Sequence, residues 1–326
     1  MSHINLYWHN YKYFPYEKEM ALREIRSLLK PELLVATENE LLIEGTQFNE
    51  DSLQKLVYFQ GYSTNGFITP TRQHQLERTC AKTGKQKKQS TRYSVHGLHE
   101  YKGKFNPQIV RGILNVLDVP DDATVLDPFC GSGTTLVECA HANMNAFGFD
   151  VNPMAVFVSN AKLQALSVDA NQLSQSFEWL LTQFRQRIPT YKHPSQKSEM
   201  DTLRFNYLAK WFSASTLAEI ECLRLCILDL PVEYQSTLLT IASNVLRDYS
   251  LQEPSDLRVR RRRSPMPTTP IIEKFRKDTT YFLTNLTNIQ RVLNCTTRNQ
   301  AFIANNQQLW EQWQSHQPAG TLGMAI

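Results

Sequence analysis

One stretch of the chain, Thr124–Thr135, combines residue types and a spacing that suit ligand binding. An apolar run ends in an acid, and a short loop with two glycines then leads into an apolar helical segment. The acid, the loop and the start of that segment are Asp127, Pro128, Phe129, Cys130, Gly131, Ser132, Gly133 and Thr134. The glycines can adopt positive φ and let a ligand approach the bare backbone. Because the first amides of a helix have no partner within it, they favour a polar or anionic group. The stretch therefore predicts a strand–loop–helix unit that binds a ligand at the loop.

A second apolar run, Asn145–Asp150, ends in another acid roughly 20 residues downstream of Asp127. In a doubly wound fold, a carboxylate at that place accepts hydrogen bonds from ribose hydroxyls. The Gly-x-Gly pattern alone is weak support for any nucleotide. Leu136 stands where the dinucleotide fingerprint has its third glycine, so the loop does not predict a pyrophosphate site.

The string Asp127–Thr135, followed by Gly148–Pro153, closely resembles the first two motifs of S-adenosylmethionine-dependent methyltransferases. Among these, it is most similar to the family that methylates exocyclic amines of DNA bases. The resemblance implies S-adenosylmethionine as the cofactor. It also implies a binding site made of the loop residues named above together with Asp150, Val151 and Asn152. The alternative is an ordinary strand–turn–helix unit of another α/β enzyme.

A segment just upstream, His99–Val110, resembles the part of these enzymes that wraps over the methionine end of the cofactor. Phe105 is expected to cover the ligand, and Lys104 is expected to face its carboxylate. Pro107 is well placed to open the next helix. A basic, aromatic loop leading into a helix would look similar, and that reading is the alternative.

Composition describes a folded protein, with 41% hydrophobic and 20% charged residues in 326. No basic leader and no apolar run of membrane-spanning length is found, which predicts a cytoplasmic protein. The six cysteines show no Cys-x-x-Cys spacing, so no metal site is predicted. Cys130 could suggest the thiolate nucleophile of a carbon-5 methyltransferase. It lies inside the cofactor loop instead of a separate Pro-Cys motif, which argues against that role.

Positive charge is concentrated in two places. Residues 72–104 are rich in lysine and arginine and include Lys87 and Lys88, and the densest run is Arg258, Arg260, Arg261, Arg262 and Arg263. Such clusters suit a phosphate backbone, where counterion release supplies much of the affinity. We predict nucleic-acid contact at both, with DNA as the partner and RNA as the alternative. A solvated loop without a ligand is the simpler interpretation.

The expected fold class is α/β: a Rossmann-like class I methyltransferase core, incomplete, with an N-terminal α+β module and a helical insertion. The first module reads β-α-β-β-α-β, with its last strand at Gly66–Thr69, and this order is typical of a ferredoxin-like unit. The insertion includes one long helix over Tyr207–Leu228, and the third core strand is expected at Gln300–Ala304. The predicted segments are the ferredoxin-like module 1–70, a basic linker 71–94, the S-adenosylmethionine-binding core 95–165, the helical insertion 166–298 and a return strand within 299–326.

The family's catalytic motif is missing. It reads Asp, Asn or Ser, then Pro-Pro and Tyr or Phe, and no Pro-Pro dipeptide occurs among the 326 residues. Ser264–Pro267 comes nearest, but it lacks the aromatic residue and precedes the expected third strand. No catalytic residue is therefore predicted. The expectation is a cofactor-binding half that is either a truncated product or works with a second polypeptide carrying the Pro-Pro-Tyr motif.

Three functions fit these patterns. The first is a DNA methyltransferase, or its cofactor-binding subunit, that transfers methyl from S-adenosylmethionine to the exocyclic amine of cytosine or adenine in restriction–modification. The second is a transfer-RNA or other RNA guanine-N2 methyltransferase. The third is a non-catalytic subunit that binds S-adenosylmethionine or nucleic acid.

Overall fold

The computed structural model describes residues 2–37, 40–64, 66–79, 89–191, 199–254, 256, 258–305 and 322–325. The chain forms two compact units. The first comprises Met1–Gly97, Tyr101–Leu166 and Asn285–Ile326, and the second comprises Leu98–Glu100 and Ser167–Thr284. The predicted boundaries at residues 70, 94, 165 and 298 stay a prediction.

An antiparallel sheet occupies the N-terminal part of the first unit. Its strands lie in the order β2-β3-β1-β4-β5, and two helices connect them in the predicted order β-α-β-β-α-β. These elements are β1 (Ser2–Trp8), α1 (Pro15–Leu28), β2 (Leu33–Ala36), β3 (Glu40–Gly45), α2 (Glu50–Lys55), β4 (Phe59–Ser63) and β5 (Thr69–Pro70). The expected α+β organisation of this part is therefore confirmed.

The position of the fourth strand differs from the prediction. The strand is Phe59–Ser63, which pairs with β1, while Gly66–Thr69 is mostly connection. Phe59 and Tyr62 are buried against the core of this sheet. Burial of these two rings, which are far in sequence from their partners on β1, decides the pairing. The sequence pattern had placed this strand at Gly66–Thr69 instead.

The segment expected to be a basic linker contains a packed helix, α3 (Arg72–Thr79). Gln73, Leu76 and Glu77 on it are buried. The Glu77 carboxylate accepts hydrogen bonds from Gln73 at 2.9 Å and from Gln108 at 3.1 Å. These contacts fix the helix inside the first unit, and its polar composition had hidden them.

A parallel sheet forms the rest of the first unit, in the order β8-β7-β6-β9. Its strands are β6 (Thr124–Asp127), β7 (Asn145–Asp150), β8 (Asn299–Ile303) and β9 (Leu322–Ala325), and its helices are α4 (Pro107–Val116), α5 (Thr134–His141) and α6 (Pro153–Ser167). The predicted third strand is confirmed within one residue. The buried residues around α4, α5 and the sheet include Val110, Leu114, Val125, Leu136, Ala146 and Ala301. The Rossmann-like α/β core is confirmed.

The second unit is helical: α7 (Ala170–Arg187), α8 (Glu199–Leu208), α9 (Ala214–Leu228), α10 (Val232–Leu246) and the larger part of α11 (Ile271–Val292). The prediction of a single helix over Tyr207–Leu228 is wrong, because α8 ends at Leu208 and a separate helix, α9, begins at Ala214. Ser213 caps the new helix by accepting the Thr216 N–H at 3.2 Å, which is a favoured role for serine. Within the described part of the chain, no helix combines the length and apolar character needed to cross a membrane.

One buried carboxylate joins the two sheets of the first unit. Glu24 on α1 accepts hydrogen bonds from the Val57 N–H at 3.1 Å and from the Asn115 side chain on α4 at 2.5 Å. Complete burial raises the pKa of Glu24 to about 7, although those hydrogen bonds act in the opposite direction. The folded state therefore favours the protonated form of this side chain near neutral pH.

This raised pKa predicts a pH-dependent stability. The contribution of Glu24 is fully present below its ordinary pKa of 4.5 and is lost as pH rises through about 7. The loss amounts to about 3 kcal/mol of unfolding free energy. Glu24→Gln, which stays neutral, should flatten this dependence in denaturant unfolding measured at a series of pH values. Glu19→Gln, at an exposed position of the same helix, is the matched control. Equal slopes in Glu24→Gln and wild type would contradict the assignment.

Candidate cofactor site

The loop between β6 and α5 takes its shape from two glycines. Gly131 and Gly133 have φ of +50° and +77°, in the left-handed region that glycine adopts at low cost. The Gly133 N–H donates to the Cys130 carbonyl at 2.8 Å, and the Cys130 N–H donates to the Phe149 carbonyl on β7 at 3.0 Å. The loop is therefore a tight turn attached to the neighbouring strand. The first amides of α5 are left without partners inside the helix.

Asp150 at the end of β7 holds the loop directly. Its Oδ2 accepts the Gly131 N–H at 2.9 Å, and its Oδ1 accepts the Asn152 N–H at 2.8 Å. The side chain is partly exposed, and each carboxylate oxygen has a further lone pair. Both hydrogen bonds fix the orientation of the carboxylate at the edge where β6 and β7 end.

A cavity of about 300 Å³ lies at this edge. Eight of the predicted cofactor residues line it: Lys104, Phe105, Asp127, Phe129, Cys130, Gly131, Ser132 and Thr134. Burial raises the pKa of Asp127, although its bonds with Thr135 and the Phe129 N–H oppose this. Phe105 and Phe129 line the cavity with 54% and 71% of their surface exposed, so apolar area is available to a ligand.

The other predicted residues adjoin the cavity without lining it. Pro128 belongs to the same loop, Gly133 packs against Ser159 of α6, and Asp150 and Asn152 are bonded as described. The Val151 side chain is 65% exposed. The cavity also includes Tyr101, Gly103 and Thr135, which were not predicted as cofactor residues although all three lie in or beside the same motifs.

The ammonium of Lys104 has partners within the protein. It donates to the carbonyl of Thr91 and, at 3.5 Å, to that of His96. Burial lowers its pKa to about 8, and Arg92 adds to this effect. Lys104 thus borders the cavity while bracing the chain before Tyr101, a role that the sequence did not reveal. The predicted contact with a ligand carboxylate stays a prediction.

A buried polar network joins α5 to the segment of the chain that precedes Tyr101. Glu138 on α5 accepts hydrogen bonds from the Tyr93 hydroxyl and from His96 Nε2, both at 2.7 Å, and His141 Nδ1 lies 3.3 Å from the same oxygen. Burial alone would raise the pKa of Glu138. The contacts from His141 and His96 outweigh it and hold the pKa well below its usual range. His96, Glu138 and His141 are types that bind metals, and they converge completely buried. Within the described residues, His96 is hydrogen-bonded to Glu138, while the Nδ1 atoms of His96 and His141 have no hydrogen-bond partner.

The Cys130 thiol is not set up as a nucleophile. It is buried, and burial raises its pKa, with Asp127 and Asp150 adding to the effect. A thiol of this kind stays protonated, whereas nucleophilic cysteines need the thiolate. The structure agrees with the reading of Cys130 as part of the loop.

The predicted arginine cluster lies on an ordered loop of the second unit. The Glu253 N–H donates to the Arg260 carbonyl at 2.9 Å, and the Arg262 N–H donates to the Leu251 carbonyl at 2.8 Å. The Arg262 guanidinium donates to four backbone carbonyls, those of Asp248, Ser250, Ser264 and Pro265. Its donors therefore hold the loop together.

The other arginines of the cluster are exposed. Arg261 donates to the Lys210 carbonyl and lies over the Trp211 ring, while Arg260 pairs with Asp256 at 3.1 Å. Arg258 and Arg263 extend from the same loop. Lys87 and Lys88, the remaining predicted nucleic-acid residues, lie outside the described residues.

The fold and the site define a class of protein: an α/β protein with a cavity beside a glycine loop at the carboxyl ends of two parallel strands, where such folds bind their ligands. Comparison with known proteins agrees, since residues 5–160 match the family model of the DNA methylases, N6_N4_Mtase. The match begins in the N-terminal sheet and includes the whole loop and Asp150. Residues 5–160 thus carry the similarity to the DNA amino-methyltransferase family. That similarity implies a methyl donor as cofactor.

Three curated relatives are type II methyltransferases. M.MjaII of Methanocaldococcus jannaschii is 36% identical over 123 residues, which are 36% of this chain and 22% of that protein. M.MvaI of Kocuria varians is 25% identical over 140 residues, 42% of this chain and 30% of that protein. M.BsoBI of Geobacillus stearothermophilus is 26% identical over 85 residues, 26% of this chain and 17% of that protein. The matched part thus spans less than a third of each relative.

The two glycines predict different mutational costs. A Cβ on Gly133 would lie 2.1 Å from Ser159 Oγ in addition to the strain of its positive φ. Among the described residues, a Cβ on Gly131 would meet only Tyr101, at 3.7 Å. Gly131→Ala should lower the unfolding free energy by about 1 kcal/mol, the cost of the φ angle. Gly133→Ala should cost more than about 2 kcal/mol, and Ser159→Gly should recover part of that loss in the double variant. Denaturant unfolding of the four proteins tests this, and equal losses for both alanine variants would refute it.

Proposed function

We propose that this chain binds S-adenosylmethionine in the cavity beside Gly131 and takes part in methyl transfer to the exocyclic amine of cytosine or adenine in DNA, within a restriction–modification system. The observation that carries the proposal is the arrangement of Asp150 and the glycine loop at the carboxyl ends of β6 and β7. When bound, the cofactor supplies an electrophilic methyl group. The residues of this chain bind it, orient it and exclude water around it.

The residues present fit such a ligand. Asp150 offers oriented lone pairs to ribose hydroxyls, and the first amides of α5 together with nearby Lys104 favour its carboxylate. Phe105 and Phe129 offer apolar surface to its uncharged parts. The carboxylate, the ribose hydroxyls and the uncharged adenine of S-adenosylmethionine would each have a partner among these residues.

The target is inferred from the family and from the names of the relatives. An amine attacks a methyl group directly, so the reaction needs no covalent enzyme intermediate, and the protonated thiol of Cys130 is consistent with this. A flipped base also needs a polar group and an aromatic ring to hold its amine in place. No Pro-Pro dipeptide in the 326 residues provides the family's version of that segment. We propose that a second polypeptide carrying a Pro-Pro-Tyr motif supplies it.

The cofactor assignment predicts that Asp150→Ala weakens S-adenosylmethionine binding roughly 10- to 150-fold, through loss of about 1.5–3 kcal/mol of charge-assisted hydrogen bonding. Titration calorimetry on folded protein measures this. Asp122→Ala, an exposed acid before the amino end of β6, is the matched control and should bind like wild type. No measurable binding by wild type, or unchanged affinity in Asp150→Ala, would overturn the assignment.

The nucleic-acid assignment predicts that a variant with Arg258, Arg260 and Arg263 changed to Ala binds DNA more weakly, whatever the sequence. The slope of log affinity against log salt should fall by about 0.9 for each lost phosphate contact. The control changes Arg187, Arg224 and Arg276, arginines of the same unit that lie outside the arginine loop and pair with Asp229, Glu221 and Glu273. An unchanged slope would show that the loop is merely solvated. Tighter binding of transfer RNA than of DNA would favour the RNA alternative.

A further inference from the structure

The cofactor loop rests on a buried lysine that no motif points to. Lys162 of α6 has no exposed surface, and its ammonium donates to the Ser132 carbonyl at 2.8 Å and to Ser132 Oγ at 3.2 Å. Ser159, one helical turn earlier, packs against Gly133. One face of α6 therefore supports both Ser132 and Gly133 from behind the cavity.

The charge of this lysine has no carboxylate to neutralise it among the contacts of the described residues. Its charged neighbour is Lys104, which borders the same cavity and repels it. Burial lowers the pKa of Lys162 to about 7, and Lys104 adds to this effect. A buried ammonium costs free energy unless an anion is close by. Two amines and the first turn of α5 therefore favour an anionic group beside Ser132, while Asp150 adjoins the cavity at Gly131.

We propose that Lys162 is the positioning residue for the methionine end of the cofactor: it holds the Ser132 peptide in place, and its charge favours the ligand's carboxylate. The inference rests on the proposed function, since it assumes that S-adenosylmethionine occupies the cavity. The polarity of the cavity orients that ligand, with its carboxylate toward Ser132 and its ribose toward Asp150.

Two ligands separate this role from a purely structural one. S-adenosylhomocysteine carries the amino-acid carboxylate, and 5′-methylthioadenosine lacks the whole amino-acid part. In titration calorimetry, Lys162→Met should weaken S-adenosylhomocysteine binding tenfold or more and leave methylthioadenosine binding unchanged. Lys162→Gln keeps a hydrogen-bond donor but no charge, and it should show the same selectivity. Ser159→Ala, on the same face of α6, is the control and should keep the wild-type ratio of affinities.

A further comparison of ligand affinities uses the wild-type protein alone, so it does not depend on how the variants fold. Decarboxylated S-adenosylhomocysteine should bind it at least tenfold more weakly than S-adenosylhomocysteine. Equal binding of these two ligands would overturn the inference, and so would equal losses for both ligands in the folded Lys162 variants. If wild type binds neither S-adenosylhomocysteine nor methylthioadenosine, the proposed function itself fails, and the inference with it.

Discussion

The site depends on one hydrogen bond, from the Gly131 N–H to the Asp150 carboxylate at 2.9 Å. It joins the loop that follows β6 to the last residue of the adjacent parallel strand β7, and it forms only because several other features agree. The register of β6 and β7 sets Asp127 opposite Gly148, so that both strands end at one edge. Positive φ at Gly131 turns its amide toward β7. The charge on the acceptor makes this bond stronger than one between neutral groups. The orientation of Asp150, and with it any contact to ribose hydroxyls, follows from that geometry.

Three buried ionisable groups hold the surroundings of this bond. Glu24 joins α1 to α4, Glu138 joins α5 to the segment that precedes Tyr101, and Lys162 joins α6 to Ser132. Each connects segments that are distant in sequence, and each is completely or almost completely buried. Apolar packing alone would tolerate small shifts between these segments. Hydrogen bonds to a buried polar group do not, because a displaced partner leaves that group unsatisfied. We infer that these three groups fix the relative positions of the segments they connect more than they add to the free energy of unfolding.

The sequence predicted those parts of the structure that depend on local pattern. The strand–loop–helix unit, the acid at the end of β7 and the return strand near Gln300 all follow from runs of residue types within short windows. The predictions were wrong where contacts between residues distant in sequence determine the secondary structure. Phe59 and Tyr62 form a strand because β1 buries them, and α8 ends before α9 because Ser213 caps a new helix. Lys162 is the one charged residue of α6 and belongs to no motif, so only its position behind Ser132 indicates a function. The hydrogen bonds of Lys104 to the Thr91 and His96 carbonyls could not be predicted from its motif either, because they depend on how the chain before Tyr101 folds back.

The central claim is that the loop and the segment before α4 bind the cofactor, and hydrogen–deuterium exchange with and without S-adenosylhomocysteine tests it most directly. We expect the ligand to slow exchange at the amides of residues 129–136 and 101–105. Exchange in the arginine loop of the second unit, residues 251–264, should stay unchanged. A ligand that binds while leaving exchange at residues 129–136 unaltered would contradict the account. Protection confined to the second unit would place the site elsewhere.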